Sequence, residues 1–434
     1  MSAFRYEGFD LAPDGQLTCR YSLGGRDFTE RVSFGTGSPD PAAQAAARWV
    51  FLLAGISYYK TGAPPLIDLG ETAVSDGERD FLRTYYVEGL GEFAHKNALD
   101  LQNLQIEGPG ISHTPVIVSS SDRPLIPFGG GIDSVVVVEA TRKRHPDSAL
   151  FIASRAGDHF EAIEKAAAVT GLPIRRADRE IDGQVLRSRE LGFLNGHVPV
   201  TGILSAMAIT AAVLDDRDAV VMSNEWSASS GTVEVGGRTI NHQWSKSLEF
   251  EAGFRAALAE TLVGVDYFSA LRPYSELWVA QRFAGLSDYH PVFRSCNRSF
   301  HLDPAVRLDH WCGECDKCCF IDLILSPFLD RTMLEQVFGG AEPLAKQELE
   351  PRFVSLLGDS AETKPFECVG DAGECRAAVL LAAARPDRAI DSLLQRLAHL
   401  VRTDGRAVPD VKRLLRPMGA HFIDARHAEP DLLG

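Results

Sequence analysis

The stretch Leu125-Ile126-Pro127-Phe128-Gly129-Gly130-Gly131-Ile132-Asp133-Ser134, with Val135–Val138 behind it, decides the fold. Leu125–Phe128 is a short apolar strand, and three glycines then free the backbone for a tight reversal. Val135–Val138 is β-branched and by propensity alone would extend as a strand. It is read as the opening turns of a helix, because a glycine turn must be followed by an element that runs back. The same unit then repeats. Ala149–Ala153 reads as a strand, Asp158–Thr170 as an amphipathic helix and Ile174–Ala177 as a weak strand. Gly202–Leu214 reads as a buried helix and Ala219–Met222 as a further strand. Alternation of this kind predicts crossover connections and a parallel sheet, hence an α/β core.

Working outward, Leu17–Leu23 and Phe28–Phe34 alternate apolar and polar residues around Asp14-Gly15 and Gly24-Gly25, which predicts a small antiparallel meander. Pro41 opens an Ala-rich helix through Tyr59, and a second helical pattern runs from Glu78 to His95. Polar Gly108–Pro124 reads as a boundary. Beyond Leu329 the pattern is helical, with loops at Gly339-Gly340 and Gly358–Pro365 and late helices near Arg376–Ala384 and Ala389–Val401. The expected organisation is an N-terminal α+β domain (1–120), an α/β core carrying a cysteine cluster (121–330) and a C-terminal helical region (331–434).

The 434 residues carry 44 Lys+Arg and 59 Asp+Glu, a formal net charge of −15, which argues against a protein that coats nucleic acid or an anionic membrane. An anionic small molecule is not excluded, since local charge decides its binding. No apolar run approaches the roughly 18 residues of a spanning helix. The first residues hold no apolar secretion core, so a cytoplasmic, reducing compartment is expected. There the eight cysteines read as thiols or metal ligands rather than disulfides.

Three glycines between a strand and a helix can wrap backbone N–H groups around an anion, and the helix N-terminus adds partial positive charge. Asp133 can hold Mg²⁺, and Ser134 can cap the helix or bond phosphate. The same residues would also serve a plain strand–helix turn capped by Asp133. No Gly-Lys-Ser/Thr follows, and the third glycine is misplaced for a dinucleotide fingerprint. The segment resembles instead the Ser-Gly-Gly-x-Asp-Ser/Thr loop of the ATP pyrophosphatase superfamily, with Gly129 at the usual Ser. That resemblance implies ATP cleavage to AMP and pyrophosphate, with Gly129, Gly130, Gly131, Asp133 and Ser134 on phosphate and Mg²⁺.

Cys296, Cys312, Cys315 and Cys318 follow C-x15-C-x2-C-x2-C spacing, with Cys319 adjacent. Two-residue spacings deliver pairs of thiolates to one tetrahedral ion, so structural Zn²⁺ is expected, with Gly313 freeing the turn and Lys317 offsetting thiolate charge. A redox dithiol and buried thiols are the alternatives.

Longer stretches carry a closer resemblance. Phe128–Ser134, Ser223–Ser227, Asn241–Glu251, Leu271–Glu276, Phe293–Phe300, Trp311–Phe328 and Lys364–Gly370 together look like the UDP-N-acetyl-α-muramoyl-L-alanyl-L-glutamate epimerase family of bacterial peptidoglycan synthesis. The resemblance implies that ATP adenylates the terminal L-Glu of UDP-MurNAc-L-Ala-L-Glu, which then becomes D-Glu. Asn224 and Glu225 follow a strand at the sheet edge where α/β folds bind ligands. Catalytic candidates are Asp133, Glu225, Lys246 and Cys368, which stands beside Glu367. Substrate candidates are His242, Lys246, Arg272, Arg294 and Arg298, because a guanidinium fork suits carboxylate and diphosphate alike. Each arginine alone could equally be a structural ion pair, and Cys375 a buried thiol. Two other readings stay open: a pyrophosphatase acting on a nucleobase or tRNA, and a nucleotide-binding scaffold without turnover.

Overall fold

The computed structural model describes residues 3–35, 39–231, 233–235, 237–301, 303–358 and 369–428. The chain begins with β1 (Phe4–Leu11), β2 (Gln16–Leu23), β3 (Arg26–Ser33), α1 (Pro41–Ala54), α2 (Ile56–Tyr59), β4 (Leu66–Asp68), α3 (Asp76–Gly89), α4 (Gly91–Lys96), β5 (Gln105–Glu107) and β6 (Val116–Ile117). Next come β7 (Pro124–Pro127), α5 (Ile132–Arg144), β8 (Ala149–Arg155), α6 (Glu161–Thr170), β9 (Ile174–Glu180), α7 (Gly183–Leu186), α8 (Val200–Leu214) and β10 (Ala219–Met222). A small hairpin, β11 (Val233–Val235) and β12 (Arg238–Ile240), precedes α9 (Leu248–Ala259), β13 (Leu262–Val263), β14 (Asp266–Ser269) and α10 (Glu276–Ala284). The remainder is helical: α11 (Asp316–Leu325), α12 (Arg331–Phe338), α13 (Glu350–Leu356), α14 (Ala372–Ala383), α15 (Ser392–Thr403) and α16 (Val411–Leu414).

One ten-stranded sheet runs through the molecule in the order β14-β10-β7-β8-β9-β3-β2-β1-β4-β5. From β14 to β9 every pairing is parallel, as strand–helix alternation predicts. The meander β1–β3 joins this sheet through an antiparallel pairing of β3 with β9, in the register Val32↔Arg179. A buried ion pair reinforces the join: Arg179 donates from Nε and Nη2 to the two carboxylate oxygens of Glu30, at 2.8 and 3.0 Å. The fold is α/β with a large, mostly parallel sheet.

Both faces of the parallel part are buried, so successive residues of a strand enter different cores. Along β8, Ala149 and Phe151 join one core while Leu150 and Ile152 join the other. Helices α1, α3, α8 and α9 cover the first face; α5, α6, α10 and α11 cover the second. Val135–Val138 lies in α5 and is buried throughout, so tertiary burial outweighs the strand propensity of four valines. The expected helix through Tyr59 breaks at Gly55, where a Cβ would stand 2.5 Å from the Tyr6 hydroxyl. The helix expected from Asp158 starts at Glu161, because Arg307 holds the Asp158 carboxylate by two 2.8 Å hydrogen bonds. Gly339 ends α12 in the left-handed conformation, as its loop assignment implied. Most of the expected loop Gly358–Pro365 lies outside the described residues. Among the described residues, no helix is long and apolar enough to cross a membrane.

Candidate active site

In a parallel sheet all the strand C-terminal ends lie on one edge. Here β7, β8 and β9 step one way across the sheet while β10 and β14 step the other. The topological switch therefore falls between β7 and β10, where open α/β sheets form their ligand crevice. The glycine loop follows β7, Asn224-Glu225 follow β10, and Glu276 opens α10 beyond β14. Asp133, Glu225 and Glu276 each bring a carboxylate oxygen to within 4.8 Å of the other two. Three adjacent strands thus deliver one acid each.

The glycine loop is built for close backbone approach. Gly130 has φ +75°, and a Cβ there would meet the Ala162 carbonyl and Ile163 Cα of α6 at 3.2 Å. Gly131 is the N-cap of α5 but supplies no side chain, so the helix N-terminus stays open toward the crevice. The Ser134 hydroxyl turns back to donate to the Gly131 carbonyl at 3.1 Å. Asp133 does not cap the helix; its Oδ1 is buried without a hydrogen-bond partner. Burial and the Glu225 carboxylate push the Asp133 acid up to about 7, against the pull of Lys317 and Lys246. Burial, Asp133 and Glu225 likewise raise Glu276 well above the usual carboxylate range. Glu374 borders the cluster: its Oε2 accepts the Leu277 amide at 3.0 Å, its Oε1 is unpartnered, and burial pushes it up to about 8.

Cations reach this cluster from two sides. Lys246 lies in a 3₁₀ turn, Trp244–Lys246, and Lys317 in the first turn of α11. The Lys317 charge also bears on Asp133 and Glu276, where it lowers both acids. Arg272, a candidate for substrate, is 1% exposed and occupied within the protein. It donates to Glu251 Oε2 at 2.8 Å and to the carbonyls of Glu225 and Lys246 at 3.0 and 2.7 Å. It is a positioning residue that holds two site segments together. Arg298 is exposed and stands 3.7 Å from Glu314. Arg294 donates to backbone carbonyls and keeps a buried, unpartnered Nε. His242 faces Glu92 rather than the acidic cluster. Cys368 and Glu367 lie outside the described residues.

The cysteines converge as their spacing implied. Cys296, Cys312, Cys315 and Cys318 place their sulfurs within 4.8 Å of one another. The Cys312–Cys318 and Cys315–Cys318 sulfurs are 3.7 and 3.5 Å apart, close to the edge of a tetrahedron with metal–sulfur bonds of about 2.3 Å. Cys319 points elsewhere, and burial pushes its thiol far up. The cluster is joined to the glycine loop. The Arg294 amide donates to the Gly130 carbonyl at 3.3 Å, and a Cβ on Gly131 would lie 3.0 Å from the Ser295 hydroxyl.

Two cavities flank the loop after β8. One, of about 570 Å³, is lined by Ala153, Arg155, Phe160, Arg179, Ile181 and Leu204, at the C-terminal ends of β8 and β9. The other, of about 230 Å³, is lined by His159, Lys165, Arg294 and Arg307. Sequence reading did not place Glu276, Glu374, Glu92 or His197 in any site. Ser275-Glu276 reads locally as a helix cap with an acidic first turn, which it also is, since Ser275 accepts from the Trp278 amide.

A family model described as the MurL N-terminal domain matches residues 1–270, and one described as the MurL C-terminal domain matches residues 292–410. The chain belongs to the MurL family. It is 36% identical to a protein of Salinispora tropica named UDP-N-acetyl-alpha-D-muramoyl-L-alanyl-L-glutamate epimerase, over 99% of this chain and 95% of that protein. A protein of Xanthomonas oryzae pv. oryzae with the same name is 36% identical over 91% of this chain and 89% of its own length. One from a Micromonospora species is 35% identical over 99% and 97%. The candidate site draws on both matched stretches. Asp133, Glu225 and Lys246 fall in the first, Lys317 and the cysteines in the second, and Glu276 in the segment between.

Proposed function

We propose that this chain converts the terminal L-Glu of UDP-MurNAc-L-Ala-L-Glu to D-Glu, consuming ATP to AMP and pyrophosphate in peptidoglycan precursor synthesis. The relatives' names supply the substrate. The observation that carries the ATP step is the Asp133 carboxylate, whose Oδ1 is buried without a hydrogen-bond partner in the first turn of α5 behind a glycine loop. On this reading, β14-β10-β7-β8-β9 is an ATP pyrophosphatase core, and the cavity beyond β8 and β9 has the size of a nucleoside site.

Three carboxylates crowded together, with two acids pushed up by burial and mutual repulsion, suit a hard divalent cation. A magnesium ion held by Asp133, Glu225 and Glu276 would supply charge neutralisation for the departing pyrophosphate. The four sulfurs suit zinc, which would fix the Cys296 segment behind the glycine loop.

The chain's own groups divide the remaining work. The amides of Gly129–Gly131 and the N-terminus of α5 receive phosphate oxygens. Lys246 and Lys317 oppose negative charge that builds as the glutamate carboxylate attacks the α-phosphorus. Arg272 keeps Lys246 and Glu225 in register. Adenylation matters because a free carboxylate resists loss of the adjacent α-proton, whereas an acyl adenylate lets the developing charge spread into its carbonyl. Water then hydrolyses the mixed anhydride, which drives the sequence forward. Arg294 and Arg298 are the candidates for the substrate's own anionic groups.

Cys368 is proposed as a proton-transfer group. Gly370, two residues later, packs on the site: a Cβ there would lie 3.2 Å from Glu276 Cγ. Cys368→Ser should stop epimerisation while pyrophosphate release survives; full epimerisation in that variant would remove the thiol from the mechanism. The function as a whole is tested by measuring pyrophosphate release from ATP with and without UDP-MurNAc-L-Ala-L-Glu, followed by chiral analysis of the product glutamate. Substrate-dependent release with D-Glu is expected. Release dependent on a nucleobase instead, or no release at all, would overturn the reading.

A further inference from the structure

A second group of ligand-type side chains forms where three distant segments meet. Glu92 lies in the first turn of α4, His197 just before α8, and His242 just after β12. One donor atom from each lies within 4.8 Å of the other two. The imidazole centroids are 4.2 Å apart with the rings tilted by 42°. His242 Nδ1 is hydrogen-bonded to Glu92 Oε2, and Lys96, one turn along α4, holds Oε1. The carboxylate is 4% exposed, and the adenylation scheme uses neither Glu92 nor His197.

We propose that Glu92, His197 and His242 form a metal site for one first-row ion of borderline character, such as zinc, cobalt or nickel. Two imidazoles and one carboxylate are a ligand set for such ions. Lys96 offsets the Glu92 charge, which removes the net negative oxygen field that Mg²⁺ or Ca²⁺ requires and leaves imidazole lone pairs as the main source of affinity. Ligands at about 2.0–2.2 Å from a common ion lie roughly 3–4 Å from one another, within the separation found here. Lys96 then acts as an outer partner that orients the carboxylate. On binding, the proton between His242 and Glu92 passes to solvent and the ion takes its place, with no change of oxidation state.

Such an ion would tie α4, the entry to α8 and the segment after β12 into one unit. Lys246 follows His242 by four residues, a reach of at most about 14 Å, so the tie also steadies a cation of the proposed active site. The inference does not depend on the epimerase reading.

The test is a Co²⁺ titration of the full-length, chelator-treated protein, followed by absorption. Thiolate-to-cobalt charge transfer marks the cysteine cluster; a d–d spectrum without it marks the histidine site or the Asp133, Glu225 and Glu276 carboxylates, and Asp133→Asn separates the two. Wild type and Asp133→Asn should both bind an equivalent that lacks the thiolate band. His197→Gln and His242→Gln should lose that equivalent and keep the thiolate-marked one. Glu92→Gln, which still offers His242 an acceptor, should weaken it more than tenfold. Circular dichroism checks that each variant is folded, and either histidine variant alone, once folded, suffices. Should all wild-type cobalt carry the thiolate band, or should folded histidine variants bind as many ions as wild type, the proposal is overturned.

Discussion

Strand β10 carries a buried carboxylate just beyond each end, and the two could hardly be treated more differently. Before it, Asp218 accepts hydrogen bonds from the Ser120 and Ser121 hydroxyls, the amides of Ser121, Asp122 and Arg123, and the Arg426 guanidinium. Burial alone would raise this acid, but the Ser120 hydroxyl and the amides outweigh it and hold Asp218 down to about 2. Beyond the other end, Glu225 meets Asp133 and Glu276, and Asp133 is pushed up to about 7 with an oxygen left without a partner. A buried acid with a full set of donors is finished as it stands. One without them is a cost to the fold, retained where something else completes it.

The contrast breaks most visibly at Asp133. Asp133→Asn should lower pyrophosphate release on the order of a thousandfold, the scale lost when one charge-stabilising group is removed. Its melting temperature should stay level or rise, because an unpaired buried charge is gone. A variant that melts well below wild type would make Asp133 a structural acid like Asp218. The cysteine cluster should behave oppositely. Cys312→Ser should abolish bound zinc and cost on the order of 3 kcal/mol in denaturant unfolding, since loss of a structural metal is among the large effects. Unchanged stability in that variant would mean that the cluster does not anchor the glycine loop.

Which of these features could be read along the chain follows from their range. The glycine loop is contiguous, so Gly129–Ser134 declares itself together with the strand before it and the helix after it. The cysteines are nearly so, and their two-residue spacings carry the geometry. Glu276 joins Asp133 only because β14, β10 and β7 are neighbours, and no local pattern sets that order. Arg272 and Lys317 show the same limit from the other side. Their charge is plain in sequence, but its recipients, Glu251 with two carbonyls in one case and Asp133 with Glu276 in the other, come from distant segments. His197 and Glu92 stand in no motif at all.

At the saturated end of β10 the effects should be smaller and should depend on pH. The folded pKa of Asp218 lies below the ordinary value of about 3.9, so its stabilisation is present above that value and fades as pH falls toward about 2. Asp218→Asn should therefore cost about 2 kcal/mol at neutral pH, with the gap to wild type closing across that acidic window. Urea unfolding of both proteins at several pH values reads this directly. A gap that persists undiminished at pH 2 would mean that packing, not charge, is what Asp218 contributes.

The smallest change dissects the donors themselves. Ser120 donates its hydroxyl to Asp218 Oδ2 at 2.9 Å, while Ser121, Asp122 and Arg123 contribute main-chain amides that a side-chain substitution leaves in place. Asp122 adopts φ +54°, a strained conformation for a residue other than glycine, so the carboxylate also keeps this turn wound. Ser120→Ala should then cost about 1 kcal/mol, one hydrogen bond to a charged group partly made good by the others. It should also move the acid transition upward in pH, because the largest lowering influence on Asp218 is gone. If stability falls as far as in Asp218→Asn, the amides are ineffective alone and the turn depends on the hydroxyl. A shift confined to about 1 kcal/mol, with the pH profile displaced toward the ordinary carboxylate value, assigns the turn to its backbone donors.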